Sequence, residues 1–314
     1  MNNERVVIAL GGNAIQSGDG TAKSQQNTLR TTANQIIDIV RLGYQVAITH
    51  GNGPQVGNIL LQQIHSDSSE TPAMPLDTCV AMSQGMIGYW LENELNNKLE
   101  ENGIEKEVVA IVTRAEVDPL DKVFKYPSKP IGPFYSKEEA TKQMKESDYT
   151  VLFREDAGRG WRKVVPSPKP VNILEHHIIR SLINNGNLVI STGGGGIPIY
   201  RQDGKIYGVE AVIDKDFASE SLAESIDANT LLNLTEVENV YINFNKPDQK
   251  ALGKVTSDEI KKYMQEGQFA PGSMLPKVES AVTFVESKPG RKGIITSLDK
   301  AVDALLGKCG TRIV

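Results

Sequence analysis

Val6-Val7-Ile8-Ala9-Leu10 runs without a polar residue into Gly11-Gly12-Asn13-Ala14, and this stretch decides the fold. A strand that does not alternate apolar with polar residues is buried on both faces, as the strands of a parallel sheet are. The pattern recurs at Val46 to Thr49, which enters His50-Gly51-Asn52-Gly53-Pro54-Gln55, and at Leu188 to Ser191, which enters Thr192-Gly193-Gly194-Gly195-Gly196. Open parallel sheets bind ligands beyond the C-terminal ends of their strands. Glycine there lets backbone N–H groups converge on an anion with no Cβ in the way. Three such turns predict a phosphate site assembled from several loops.

Between these strands the period changes to that of helices. Thr28 to Arg41 places Ala33, Ile36, Ile37 and Val40 on one face and stops at Gly43. Asn172 reads as an N-cap with Glu175 three residues on, followed by a stripe of Leu174, Ile178 and Leu182 that Gly186 ends. Ser297 reads as the cap of a helix turning Leu298, Val302, Leu305 and Leu306 inward before Gly307. Further strands are expected at Val108 to Val112, Leu231 to Leu234, Val240 to Ile242 and Gly293 to Thr296. The alternation predicts a three-layer α/β/α sandwich around a mainly parallel open sheet.

One stretch breaks the rhythm. Seven of the fifteen prolines fall between Asp118 and Pro170. A structureless loop of that length is rare in a compact domain, so the segment reads as a small inserted subdomain with Val151, Leu152, Phe153 and Trp161 as its core. A disordered insert is the alternative.

Composition narrows the function classes. A chain of 314 residues with 39% apolar and 23% charged residues is an ordinary globular protein, large enough for two lobes. A net charge of −5 argues against nucleic-acid or membrane-surface partners, which call for clustered Lys and Arg. No apolar run approaches the ~18 residues of a membrane span, so a cytoplasmic location is expected. Cys79 and Cys309 are the two cysteines, far apart and outside any CxxC, and read as small buried hydrophobes.

The P-loop pattern GxxxxGK[ST] is absent, and Gly51-Asn52-Gly53-Pro54-Gln55-Val56-Gly57 misses the dinucleotide fingerprint by one residue. Taken alone, Gly11, Gly12 and Asn13 serve a ligandless strand-to-helix turn as well as a phosphate cradle. Asp214-Lys215-Asp216 reads as a solvated helix start, with Asp216 as N-cap for Phe217 to Ile226. Arg159, Arg162 and Lys163 read first as a charged surface turn, or else as part of the acceptor mouth. His50, Trp90 and Trp161 read as packing residues. His176 and His177, being adjacent, cannot share a helical face as metal ligands at i, i+4 would.

A set of blocks, taken in order, is far more specific than any one glycine loop. ALGGNA (9–14), HGNGPQVGN (50–58), AMSQGMIGYWL (81–91), KPIGPF (129–134), EDAGRGWRKVVPSPKP (155–170), TGGGGIP (192–198), GVEAVIDKDFAS (208–219) and FAPGSMLPKVE (269–279) together resemble the carbamate kinases, a branch of the amino-acid kinase family. The resemblance implies a single amino-acid kinase domain over 1–314. Its acceptor-binding half would cover about 1–210, its inserted protruding subdomain about 118–166, and its nucleotide-binding half about 211–314. It implies reversible phosphoryl transfer between ATP and carbamate, giving ADP and carbamoyl phosphate, with Mg²⁺, in a homodimer, serving ATP synthesis in arginine catabolism.

Residue by residue, the resemblance makes Lys215 and Lys277 the lysines that meet the transferred phosphoryl and the β–γ bridge, with Asp216 orienting them. Lys129 becomes a third lysine, delivered by the subdomain. Gly11, Gly12, Asn13, Gly51, Asn52 and Gly53 would surround phosphoryl and carbamate. Asp214, Thr235, Val237, Tyr241, Ala270, Pro271, Gly272 and Met274 would meet the nucleotide. No metal ligand is assigned, because Mg²⁺ is held largely by phosphates and water. Gly12→Val is expected to collapse turnover even if the strand-to-helix turn still forms, and Gly195→Ala to be milder if that run only shapes the acceptor mouth. A sister kinase for another acceptor would lack the inserted blocks, and a nucleotide sensor would have lost one or more of the three lysines.

Overall fold

The computed structural model describes residues 4–146, 152–155, 158 and 160–314. β1 (Arg5–Leu10) is buried at all six positions. Val6, Ile8 and Leu10 pack into one core and Val7 into another, which is why the stretch from Val6 to Leu10 carries no polar residue. Seventeen strands, numbered in chain order, form four sheets among the described residues. The central sheet runs β15 (Lys254–Val255), β17 (Thr311–Ile313), β16 (Lys292–Ser297), β12 (Thr230–Thr235), β1, β2 (Gln45–His50), β9 (Leu188–Ile190) and β3 (Val108–Ala110). Every neighbouring pair is parallel except β16 with β17.

Helices α1 (Ala22–Arg41), α3 (Leu76–Glu101) and α9 (Ala301–Leu305) fill the core on one face. α5 (His176–Asn184), α6 (Lys215–Ser225) and Phe284 of α8 (Met274–Ser287) fill the core on the other, completing three layers. α7 (Ser257–Gln265) starts with a full capping box, Thr256 with Glu259.

A second sheet of β11 (Lys205–Gly208), β10 (Ile197–Gln202), β4 (Arg114–Val117) and β8 (Pro170–Ile173) flanks the central one, and β13 (Val240–Ile242) with β14 (Lys250–Leu252) is a separate hairpin. The chain leaves through β4 and returns through β8, its antiparallel partner. Between them lie β5 (Lys129–Tyr135), β6 (Leu152–Glu155), β7 (Trp161–Val165) and α4 (Lys137–Glu146). Phe153 and Val164 are buried there, and Phe153 meets Tyr135 edge-on at 5.3 Å. Leu152 and Trp161 are half-buried, and Val151 lies outside the described residues. Ile131 and Val165 pack instead with Val56 and Leu60 of α2 (Gly53–Ser66), so α2 carries the insert. At that contact a Cβ on Gly57 would come within 3.3 Å of the Gly132 backbone, so a larger residue would press the two elements apart by a few tenths of an ångström.

Several sequence expectations shift. α1 begins at Ala22, six residues early, because Thr21 accepts from Ser24 N. Asn172 is no cap: it lies in β8 opposite Glu116, and Glu175 is held by Arg114. α5 therefore starts at His176 and buries Ile179 and Ile183, leaving Ile178 52% exposed. After Ser297 comes a 3-10 turn before α9, and Leu306 faces outward. Arg162 and Lys163 sit in β7 rather than in a turn, with Arg162 Nε donating to Gly132 O; Arg159 lies outside the described residues. Cys79 is buried but Cys309 only partly so. No helix among the described residues is long and apolar enough to cross a membrane.

Candidate active site

The C-terminal ends of β1, β2, β12 and β9 deliver the loops that the sequence singled out. α6 begins at Lys215 and is capped by Asp214, whose Oδ1 accepts from Asp216 N at 3.0 Å. The cap is thus Asp214 and not Asp216, which frees Asp216 to turn inward. Asp216 Oδ1 accepts from Lys215 Nζ at 2.6 Å and Oδ2 from Lys277 Nζ at 2.9 Å. Two ammonium groups from different helices are held on one carboxylate that is only 3% exposed. Burial alone would raise the Asp216 pKa, but the charges of Lys215 and Lys277 outweigh it and hold the carboxylate ionised below its usual range. Burial, then repulsion from Lys215, pulls Lys277 down, with Asp216 opposing. Lys129, at the start of β5, reaches Asp214 Oδ2 at 2.8 Å.

Above these lysines opens a cavity of about 530 Å³. It is lined by Gly11, Gly12, Asn13, Lys215 and Lys277, and by Thr235, Val237, Tyr241, Ala270, Gly272 and Met274. Pro271 and Asp214 are not on its lining, the latter being committed to Lys129 and the cap. Asn13 donates through Nδ2 to Glu236. Gly51 abuts the stem of Lys215, where a Cβ would lie 3.2 Å from Cδ. Sequence reasoning missed Phe244, Gln268, Phe269 and Leu298 on the lining. Phe244 carried a readable signal, an aromatic three residues after Tyr241, and the two rings lie 6.1 Å apart.

The glycines divide by what surrounds them. A Cβ on Gly12 or Gly53 would meet nothing within 4 Å, so both face open space. In the third loop a Cβ on Gly194 would strike Asn52 Nδ2 at 2.2 Å, and one on Gly195 would strike Ile213 O at 2.5 Å with φ at +90°. These contacts give Gly195→Ala a cost in the fold, separate from its effect on turnover. It should come to about 1–3 kcal/mol or more, read as a lower Tm. An unchanged melting curve would contradict the packing described.

His50 is buried, and its Nδ1 meets Gly51 O at 2.8 Å. Burial pushes its pKa down to about 4. The unfolded imidazole takes its proton near pH 6.5 and the folded one only near pH 4, so stability falls as pH drops through that window. The loss is on the order of 3 kcal/mol. Denaturant unfolding at pH 7 and 4.5 should show it in the wild type and a clearly smaller loss in His50→Asn; equal losses would refute it.

A sequence model of the amino acid kinase family matches residues 4–297. The chain belongs to the amino acid kinase family. Within this amino acid kinase family it is 54% identical over 310 residues to carbamate kinase 2 of Staphylococcus aureus, covering 99% of each chain. It is 55% identical over 296 residues to carbamate kinase 1 of Enterococcus faecium, covering 94% of each. A solved carbamate kinase from Giardia lamblia bound to AMP-PNP superposes with a TM-score of 0.93 at 46% identity, covering 99% of this chain and 98% of that one.

Proposed function

We propose that this chain is a carbamate kinase, transferring a phosphoryl group reversibly between ATP and carbamate to give ADP and carbamoyl phosphate. The observation that carries the reading is the pair Lys215 and Lys277 on the two oxygens of Asp216, both lining a nucleotide-sized cavity together with Gly12, which faces open space. Phosphoryl transfer asks for position and positive charge around the moving group, with little covalent chemistry.

In this reading the base lies between Tyr241 or Phe244 and the Ala270–Met274 turn, with the phosphates running to Gly11 and Gly12. A carbamate oxygen attacks the γ-phosphorus while the bond to the β–γ bridging oxygen breaks, and ADP leaves with that electron pair. Lys277 meets the bridging oxygen and Lys215 the transferred group. Asp216 holds both ammonium groups in place without contacting phosphate. Gly51, Asn52 and Gly53 bound the acceptor, and α2 offers its N-terminus to the anion.

Mg²⁺ with the nucleotide is part of the proposal. Asp214 and Asp216 are both committed to lysines, and no cluster of three His, Cys, Asp or Glu suited to a metal occurs among the described residues. These side chains fit an ion that arrives on the nucleotide and keeps phosphate oxygens and water as ligands. Bound so, it neutralises charge on the β and γ oxygens. A homodimer in the cytoplasm, making ATP during arginine breakdown, completes the reading.

The forward reaction tests it. ATP, Mg²⁺ and ammonium carbamate should release ADP in a coupled assay, and no release above a carbamate-free control would overturn it. Lys129→Ala should raise the KM for carbamoyl phosphate at least tenfold, since a proline-framed strand presents this lysine with little freedom left to lose. ADP affinity by calorimetry should stay within about twofold of wild type, because Lys129 is not on the nucleotide cavity. A variant that loses ADP affinity instead would place the insert at the nucleotide.

A further inference from the structure

The AMSQGMIGYWL block, quoted above for its resemblance, has no role in the site so far. Its Ser83 and Gln84 lie in α3 and are 0% and 4% exposed, although both are polar. Buried polar side chains persist where they are fully used, and these two are. Gln84 Nε2 donates to Thr113 O at 3.0 Å and to Gly193 O at 2.8 Å, while its Oε1 accepts from Thr113 N at 2.9 Å. Ser83 Oγ donates to Val80 O at 2.7 Å and accepts from Asn52 Nδ2 at 2.8 Å.

Asn52, Thr113 and Gly193 follow β2, β3 and β9, which are neighbours in the sheet. Two consecutive residues of one helix therefore tie together the three loops on the acceptor side. The loops also meet each other directly: Thr192 N donates to Thr113 Oγ1 at 3.0 Å, and Gly194 leaves no room for a Cβ against Asn52. Because the Ser83 hydroxyl proton is spent on Val80 O, its oxygen can only accept. That sets which way round the Asn52 amide sits: NH₂ toward α3, carbonyl Oδ1 at the other end.

We propose that Ser83 and Gln84 are the positioning residues of the acceptor side, and that Ser83 makes Asn52 a specificity determinant by presenting Oδ1 to the substrate. A carbamoyl group carries an N–H that can donate to this oxygen. An acetyl group of the same size carries a methyl and leaves it unpaired. A site built around such a hydrogen bond rejects the analogue lacking it more strongly than a merely apolar pocket can. Gln84 acts on the same site by holding the Thr113 and Gly193 turns against Asn52. The inference rests on the carbamate reading above.

The test compares phosphoryl donors. ATP formation from ADP and Mg²⁺ is followed with carbamoyl phosphate and with acetyl phosphate, alongside calorimetric titration of ADP. Ser83→Ala should lower the ratio of kcat/KM for the two donors by about tenfold, since the freed amide can turn over, while the ADP Kd stays within about twofold. Gln84→Ala should raise the KM for carbamoyl phosphate by about tenfold with the same unchanged ADP Kd. If the donor ratio of Ser83→Ala equals that of wild type, with only Tm lowered, the two residues are packing and the proposal fails. A parallel loss of ADP affinity would overturn it as well. Should Gln84→Ala not fold, Ser83→Ala decides alone. Wild-type protein that makes no ATP from carbamoyl phosphate would defeat the functional reading itself, an outcome visible before any variant is made.

Discussion

Lys277→Ala is expected to lower kcat by roughly 10² to 10³ or more, the scale of removing one donor from a developing anion. Lys215→Ala should do the same. The fall should lie in kcat more than in KM, because the charge these lysines meet grows as the γ-phosphoryl leaves. Stability should respond differently from activity. Wild-type Asp216 already holds two ammonium groups on one carboxylate, so removing one cation leaves the other paired. Asp216→Asn is the harsher change for the fold, since it takes the shared carboxylate from buried Lys277 and half-buried Lys215 at once, and breaking a buried pair by removing a partner costs about 3–5 kcal/mol. Steady-state rates with calorimetric ADP binding check the lysines. Near-wild-type turnover in either lysine variant would remove it from the mechanism.

Gly12→Val should cut turnover by at least about 10²-fold while leaving Tm nearly unchanged. The reason is the open space: a Cβ on Gly12 meets no protein atom within 4 Å, and Gly12 lines the cavity in which the proposed mechanism puts the phosphates. Its neighbour behaves otherwise. A Cβ on Gly11 would lie 2.8 Å from Leu234 O, so a substitution there acts through the fold. Melting curves and rates measured together separate the cases. A Gly12→Val protein that is active would mean the phosphate path lies elsewhere, and one that is unfolded would mean the turn is tighter than described.

Which parts were legible in the sequence follows from range. The sheet could be read because burial on both faces writes itself into consecutive residues, as in Val6 to Leu10. The insert could be read because prolines break local periodicity. Helix starts were read less well: Asn172 has cap chemistry, but its backbone is committed to a ladder with β4 that only the tertiary fold supplies. The same limit hid the pairing of Lys129 with Asp214, 85 positions apart. The resemblance named Asp216 as the group that orients Lys215 and Lys277, and the geometry adds that each lysine takes one of its two oxygens. Ser83 and Gln84 were invisible for a further reason. On a helix they read as an ordinary polar face, and the loops they hold are supplied by residues 52, 113 and 193.

The most direct measurement is ATP formation by the purified wild-type protein from ADP, Mg²⁺ and carbamoyl phosphate, with acetyl phosphate in a parallel reaction. The proposed function predicts ATP from carbamoyl phosphate, and the proposal for Asn52 adds much slower formation from acetyl phosphate. No ATP from either donor, by a protein that still binds ADP, would contradict the account and leave a nucleotide-binding fold without the transfer chemistry.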